Sequence, residues 1–328
     1  MSTVTITKGT YFGKPISGTF ELVKTWLPGR ETLNETEAAL GDGKVFVVIN
    51  GKERGVWVFN EDIKMEGAER KVEVVKSVDE MKEQIRKRFN VMGMMSKGII
   101  GGNIRSLIIS GAAGIGKTYS LDKALQNAHD RDEIQYSMVN GKISGIGLYC
   151  KLYENRGSNS VLLIDDVDVF SDMDILNLLK AALDSGDKRQ VCWSTASSFL
   201  DDKDIPNSFE FEGTVVFITN VDVDRELERG SKLSPHINAL VSRSVYLDLC
   251  VHTNEEIMIR VEDVIMTTDM LQKRGLKNSE VIEVVNFMRD NVERLRNVSL
   301  RTALYIADFV ATNNKEWKEI AEVTLIKQ

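Results

Sequence analysis

Only four prolines and three cysteines occur among the 328 residues. The prolines stand singly, which excludes a Pro-rich linker or a polyproline segment. Cys150, Cys192 and Cys250 are far apart and none belongs to a C-x-x-C pair. That spacing argues against a disulfide framework, fits a reducing compartment, and makes buried structural thiols the expectation. His129, His236 and His252 have no Cys or His partner at metal-ligand spacing, so no zinc site is expected. No apolar run approaches the roughly 18 residues needed to span a bilayer. The first residues also lack a charged-then-apolar signal pattern, and a cytoplasmic location is expected. Positive charge is short as well: 42 Lys and Arg against 49 Asp and Glu give a net charge of −7. Any nucleic-acid contact would therefore need a local basic patch rather than a global field.

What is present is ordinary globular composition, 42% hydrophobic and 28% charged, in a chain long enough for two or three units. Short β-type runs at Thr3–Ile6, Lys44–Ile49 and Gly55–Phe59 predict a β-rich module over residues 1–75, with Asn50-Gly51 as a hairpin turn and Lys71–Val75 as its closing strand. Trp26, Trp57 and Tyr11 are its core or a ligand platform. Glu66–Lys71 reads as a solvated charged face. Ser77 and Glu80 form a capping box for a helix reaching Phe89. From 76 to 251, apolar strands at Leu107–Ile109, Ile134–Val139, Val161–Ile164, Val215–Ile218 and Val245–Leu249 alternate with helices, which predicts a parallel α/β sheet. From 252 to 328 the periodicity is helical: Ile257, Val261, Val264 and Ile265 share one face, as do Val281, Val284, Val285 and Met288.

One segment fixes the ligand class. Gly111-Ala112-Ala113-Gly114-Ile115-Gly116-Lys117-Thr118 is a complete G-x-x-x-x-G-K-[ST] phosphate loop between a strand and a helix. Its glycines keep side chains clear so that backbone N–H groups, through Tyr119, can hold phosphate oxygens at a helix N-terminus. Lys117 would reach the β and γ phosphates of ATP, and Thr118 would hold Mg²⁺. Val161–Ile164 then ends in Asp165-Asp166, the carboxylate pair that such chemistry needs. Asp165 would orient Mg²⁺ and Asp166 would serve as general base for the attacking water.

This set resembles an AAA+ P-loop ATPase from about Met81 onward, and is most similar to the small AAA+ ATPases of tailed bacteriophages. The resemblance implies a parallel sheet with flanking helices, a C-terminal helical lid, and ATP hydrolysis at subunit interfaces of a homo-oligomeric ring or spiral, as in hexamers. It also implies a polar sensor at Asn220, an arginine finger at Arg243 within Ser242-Arg243-Ser244, and a lid arginine at Arg301, just after the helix cap Ser299. Arg243 at a helix end also has a purely local reading, as a cation facing the helix dipole. For Arg301 the local reading is a surface salt bridge. The pattern departs from the family in having Asp166 where Glu is usual, one methylene shorter. Either the backbone compensates or hydrolysis is slow. Gly141–Gly147 lies where such rings project a pore loop, with Lys142, Ile143 and Ile146 as gripping residues, or is a plain connection. Residues 189–211 form an inserted β-hairpin or a loop packed by Trp193 and Phe211. Met92–Met95 either lines an adenine pocket or fills core. The class implied is a motor acting on nucleic acid or protein; the alternative is a slow, ATP-controlled assembly switch.

Overall fold

In the computed structural model, the described residues are 3–11, 14–28, 41–49, 51–66, 77–167, 169, 172–184, 186, 188–195, 197–230, 234–312 and 315–327. They fall into two compact units, Met1–Val75 and Lys76–Gln328.

Alternation of apolar and polar residues builds the first unit. Its strands are β1 (Thr3–Tyr11), β2 (Lys14–Pro28), β3 (Gly43–Ile49), β4 (Lys52–Val58) and β5 (Ile63–Glu66). The hydrogen bonding closes on itself, because β1 pairs β2 along one edge and both β5 and β4 along the other. Gly9 marks the bend between those two halves of β1: a Cβ there would lie 2.9 Å from Ile6 Cγ2. Val4, Ile6, Val45, Val47, Val56, Val58 and Ile63 fill the interior. The runs read from sequence fall within β1 and β3 and across β4, whereas β2 and β5 carry too weak an alternation to be read. Ile49 pairs Lys52, so a two-residue turn joins β3 to β4, with Gly51 at φ 72. Asn50, Lys71–Val75 and most of Glu66–Lys71 lie outside the described residues.

The second unit begins with α1 (Val78–Ile100), whose Ser77/Glu80 capping box is formed as the sequence predicts. Its sheet contains β6 (Ser106–Ser110), β7 (Gln135–Asn140), β8 (Ser160–Asp165), β11 (Thr214–Thr219) and β12 (Val245–Asp248), all parallel, in the order β12-β6-β11-β8-β7. All six residues of β8 and of β11 are buried, as central strands covered on both faces must be. Successive strand residues feed two different cores. Leu107, Ile109, Leu163, Val216 and Ile218 pack on one face against α1 and α2 (Lys117–His129). Ile108, Leu162, Ile164, Val215 and Phe217 pack on the other against α3 (Gly145–Glu154) and α4 (Met173–Ala182).

The last four helices are α8 (Asn254–Thr267), α9 (Asn278–Asp290), α10 (Leu300–Thr312) and α11 (Trp317–Leu325). Their apolar stripes include Ile257, Val261, Val284, Met288, Ile306 and Trp317, and these join the first of the two cores rather than forming one of their own.

Three segments have alternative readings from the sequence. Ile143 and Ile146 are half-buried against the second core, and of the three candidate gripping residues Lys142 is the exposed one. The 189–211 segment contains an antiparallel pair, β9 (Gln190–Cys192) with β10 (Ser208–Glu210), linked through α5 (Ser198–Asp201). It is packed down on the body by Val191, Leu200, Phe209 and Phe211. The buried Arg189 anchors its root, donating to Ala182 O at 3.0 Å and Gly213 O at 2.8 Å. Met92 is core, whereas Met94 is 68% exposed. The cysteines correct the uniform expectation of burial: Cys150 is buried, Cys250 is half-buried and Cys192 is exposed.

Candidate functional site

Strand order decides which residues can meet. Because β11 lies between β6 and β8, whatever follows β11 stands between the phosphate loop that follows β6 and the carboxylates that end β8. That residue is Asn220. It accepts a hydrogen bond from Lys117 Nζ at 2.8 Å on Oδ1, and its Nδ2 donates to Asp166 Oδ1 at 3.1 Å. The Thr118 hydroxyl donates to Asp165 Oδ2 at 2.8 Å. Lys117, Thr118, Asp165, Asp166 and Asn220 therefore form one connected cluster at the C-terminal edge of the sheet.

Local backbone explains how the loop reaches this shape. Gly114 and Gly116 have φ 73 and φ 92, which side-chain-bearing residues adopt only at a cost. At Gly114 a Cβ would also lie 2.6 Å from Ser299 Cβ. The Gly114 carbonyl accepts the Leu300 N–H at 2.9 Å, satisfying a first-turn donor of α10 that has no partner within the helix. Ser299 caps that helix through Thr302 N at 3.1 Å. Ile115 is buried in the first core. The N-terminus of α2 at Gly116 has no side-chain cap, so its first-turn amides face the loop without an internal acceptor side chain. Ala112 N donates to Val251 O at 2.8 Å, fixing the start of the loop. Tyr119, one residue past the loop, is 70% exposed.

Lys117 is almost fully buried, and Nζ also donates to Gly111 O at 2.6 Å and Ala112 O at 2.7 Å. Burial lowers its pKa from 10.5 to about 8, against the pull of Asp165 and Asp166 and with a further push from Arg301. Burial likewise raises the Asp165 carboxyl above the usual range, with the Thr118 hydrogen bond opposing it. Asp166 has φ 51, a left-handed backbone that turns its carboxylate towards Asn220.

The ammonium is the form that attracts phosphate. Nucleotide affinity is therefore expected to hold at neutral pH and to fall as pH rises through about 8, by up to tenfold per pH unit. Titration of a fluorescent nucleotide between pH 7 and 10 measures this, and a flat profile would contradict it.

Two predicted residues lie outside the cluster. Arg301, in the first turn of α10, is exposed, and its charge reaches Lys117. Arg243 follows α7 (Ser234–Val241) and precedes β12, which puts it at the N-terminal edge of the sheet. There its carbonyl accepts from Ser106 Oγ at 3.0 Å, its Nε pairs with Asp184 Oδ1 at 3.3 Å, and its Nη1 donates to Ala239 O at 2.8 Å.

Sequence reasoning missed a second hub beside the loop. Asp248, at the end of β12, accepts from Cys250 N at 2.8 Å, Cys250 Sγ at 3.0 Å, His252 Nε2 at 3.0 Å and Ser110 Oγ at 3.3 Å. Burial opposes its ionisation, yet the His252 and Cys250 hydrogen bonds hold its carboxyl below the usual range, and Asp248 in turn raises His252. The hub fixes the turn whose Val251 carbonyl clamps Ala112. Its signal was Asp248 at the end of a strand, a residue whose carboxylate can accept the N–H two residues on in an Asx turn, here from Cys250 at φ 48.

The residues present suit the groups that the loop implies. The Lys117 ammonium and the uncapped α2 N-terminus suit phosphates. The Thr118 hydroxyl beside the Asp165 carboxylate is the hard-oxygen pair that Mg²⁺ takes.

Five parallel strands in this order, a phosphate loop after β6, paired carboxylates at the end of β8 and a polar residue after the strand between them make a P-loop α/β fold, a parallel sheet with flanking helices. No family model matches the chain. It is 68% identical over 322 residues to the uncharacterized 36.7 kDa protein of the nrdC-mobD intergenic region of Enterobacteria phage T4, covering 98% of this chain and 97% of that one. The chain belongs to the family of that phage protein. Among solved structures it is similar to a DNA replication initiation factor (TM-score 0.41, 13% identity, 74% of this chain and 65% of that one). It is also similar to Cdc6p from Pyrobaculum aerophilum (0.40, 11%, 74% and 64%) and to NtrX from Brucella abortus in complex with ATP (0.39, 12%, 69% and 49%). The chain spans less than two thirds of each of these solved chains.

Proposed function

We propose that the chain is an ATPase that binds ATP with Mg²⁺ at the loop edge of its sheet and hydrolyses it between subunits of a homo-oligomer. The meeting of Lys117, Thr118, Asp165, Asp166 and Asn220 carries this reading. Lys117 places its charge against the β and γ phosphates. Asp166 accepts the proton of the attacking water, and Asn220 orients that water while holding both Lys117 and Asp166. Mg²⁺, held by Thr118 and Asp165, would neutralise phosphate charge when bound. Arg301 adds positive charge from the first turn of α10. Arg243, far from its own loop, serves a neighbouring subunit. Residues 252–328 act as the lid, and residues 1–75 as the element that recognises a substrate.

The left-handed backbone at Asp166 supports the compensated form of the short carboxylate, because it brings the group within hydrogen-bond reach of Asn220. Replacing Asp166 by asparagine is expected to lower steady-state phosphate release by about 10²–10⁴ while ATP affinity stays nearly unchanged. Unchanged turnover would remove Asp166 from the chemistry. A slow assembly switch is the second reading, favoured by the loss of one methylene relative to Glu. It predicts a low basal rate unaffected by nucleic acid or unfolded protein, together with ATP-dependent assembly.

A further inference from the structure

The strand beside the phosphate loop breaks its ladder where the loop begins. β12 runs parallel to β6, in register up to Asp248 and Ser110, and Leu249 N donates to Ser110 O at 3.0 Å. A regular parallel ladder would next bring Leu249 O to the Ala112 N–H. Val251 O takes that place instead, at 2.8 Å, so the acceptor has moved two residues along the chain. The interruption is a bulge at Cys250, whose φ of 48 is a left-handed backbone uncommon for any residue but glycine.

Asp248 holds that backbone. Its Oδ1 accepts the Cys250 N–H at 2.8 Å and its Oδ2 the Cys250 thiol at 3.0 Å, closing an Asx turn on the left-handed residue. The carboxylate is itself fixed by His252 Nε2 at 3.0 Å and Ser110 Oγ at 3.3 Å, and Arg88 of α1 donates to the Asp248 carbonyl. These partners come from β6, α1 and the turn itself, so the bulge is held from three sides.

The clamp sets direction as well as position. Gly111 C=O and Ala112 N–H belong to one planar peptide and point opposite ways. With the N–H drawn to Val251 O, the Gly111 carbonyl faces away from β12 and accepts from Lys117 Nζ at 2.6 Å. The Ala112 carbonyl accepts from the same ammonium at 2.7 Å. A continuous path thus runs from the Asp248 carboxylate through Cys250, Val251 and one peptide of the loop to the cation that the loop presents.

We propose that Asp248 is a positioning residue for nucleotide binding: by keeping Cys250 left-handed it holds Val251 O on Ala112 N, which orients Gly111 O and through it Lys117. The role rests on the ATPase reading for its ligand, while the clamp itself is a property of the backbone. Glycine at position 250 adopts the left-handed conformation without help from a carboxylate. Valine there resists it, because a β-branched side chain at positive φ is strained.

The test combines titration of the full chain with a fluorescent ATP analogue and Mg²⁺, hydrogen exchange at the Ala112 amide, and thermal melting to verify each fold. Asp248→Ala is expected to weaken binding on the order of tenfold, as loss of one hydrogen bond to a charged group does, and to speed Ala112 exchange. Adding Cys250→Gly to Asp248→Ala should return affinity to within about threefold of wild type, the scatter of a neutral substitution. General loosening of the fold would not be rescued in this way. Cys250→Val leaves the carboxylate in place and should weaken binding as Asp248→Ala does; it carries the test if Asp248→Ala does not fold. Wild-type affinity in Asp248→Ala or in Cys250→Val, or a loss that Cys250→Gly does not recover, would overturn the proposal while leaving the ATPase reading intact. A wild-type chain that binds no ATP would sink both, and the exchange data separate the two cases, since unchanged Ala112 exchange in Asp248→Ala removes the clamp whether or not ATP binds.

Discussion

Replacing Arg243 by alanine is expected to lower steady-state ATP hydrolysis by about 10³ to 10⁵ while leaving ATP affinity nearly unchanged, the behaviour of arginine fingers supplied in trans. Geometry separates Arg243 from its own site. It precedes β12 beside Ser106, the first residue of β6, whereas the phosphate loop follows the last. The five residues of β6 span roughly 17 Å, further than an arginine side chain reaches. A purely local role would be worth only about 0.3–1 kcal/mol of helix stability and would leave turnover intact. The half-exposed guanidinium is poised rather than free, since Asp184 and Ala239 O hold it in the ground state. Mixing the Arg243→Ala chain with a Lys117→Ala chain should restore some activity, because one kind of interface then joins an intact loop to an intact arginine. No recovery despite demonstrated co-assembly would count against the role in trans.

The Lys117→Met substitution is expected to weaken ATP binding by 2–5 kcal/mol, about thirtyfold to several thousandfold, as loss of one partner from a buried charge pair does. Calorimetric titration with ATP measures it, and affinity within threefold of wild type would remove Lys117 from phosphate recognition. The same substitution should alter the pH dependence of the ligand-free fold. The folded-state pKa of about 8 lies below the unfolded 10.5, so between those values the unfolded chain binds more protons. The cost of the buried charge is fully present below pH 8 and is relieved as pH rises towards 10.5, so this residue makes stability climb with pH there. The wild-type minus Lys117→Met difference in thermal stability should therefore increase across that window. A constant difference would show that the buried ammonium carries no such cost.

How much of this is legible in the sequence depends on whether the determinant is local. The phosphate loop is contiguous, and its neighbours obey one rule each: an apolar strand before it, an uninterrupted helix after it. Asp165-Asp166 is legible because four apolar residues must end somewhere polar at a sheet edge. The five parallel strands appear at their expected places to within a residue or two. Strand order is not local, and it alone puts Asn220 between Lys117 and Asp166. The clamp from Val251 to Ala112 and the pairing of Arg243 with Asp184 likewise join segments far apart in the chain. In the first unit, β2 escaped reading because it pairs with β1 and β3 through register shifts that blur its alternation. Ile143 and Ile146 lie half-buried against the second core, because apolar side chains beside an available core gain more by packing than by facing water.

The contact between Gly114 and the start of α10 has a mechanical meaning. One hydrogen bond and one close approach transmit any displacement of Ser299 and Leu300 directly into the phosphate loop. The helices behind that contact share their apolar interior with the sheet, so they have no separate body about which to swing. Motion between them and the loop is therefore expected to take small sliding steps, of the shear rather than the hinge kind. The stiffness of the phosphate loop is set from the far end of the chain, and a load borne by the last four helices is felt first at Gly114.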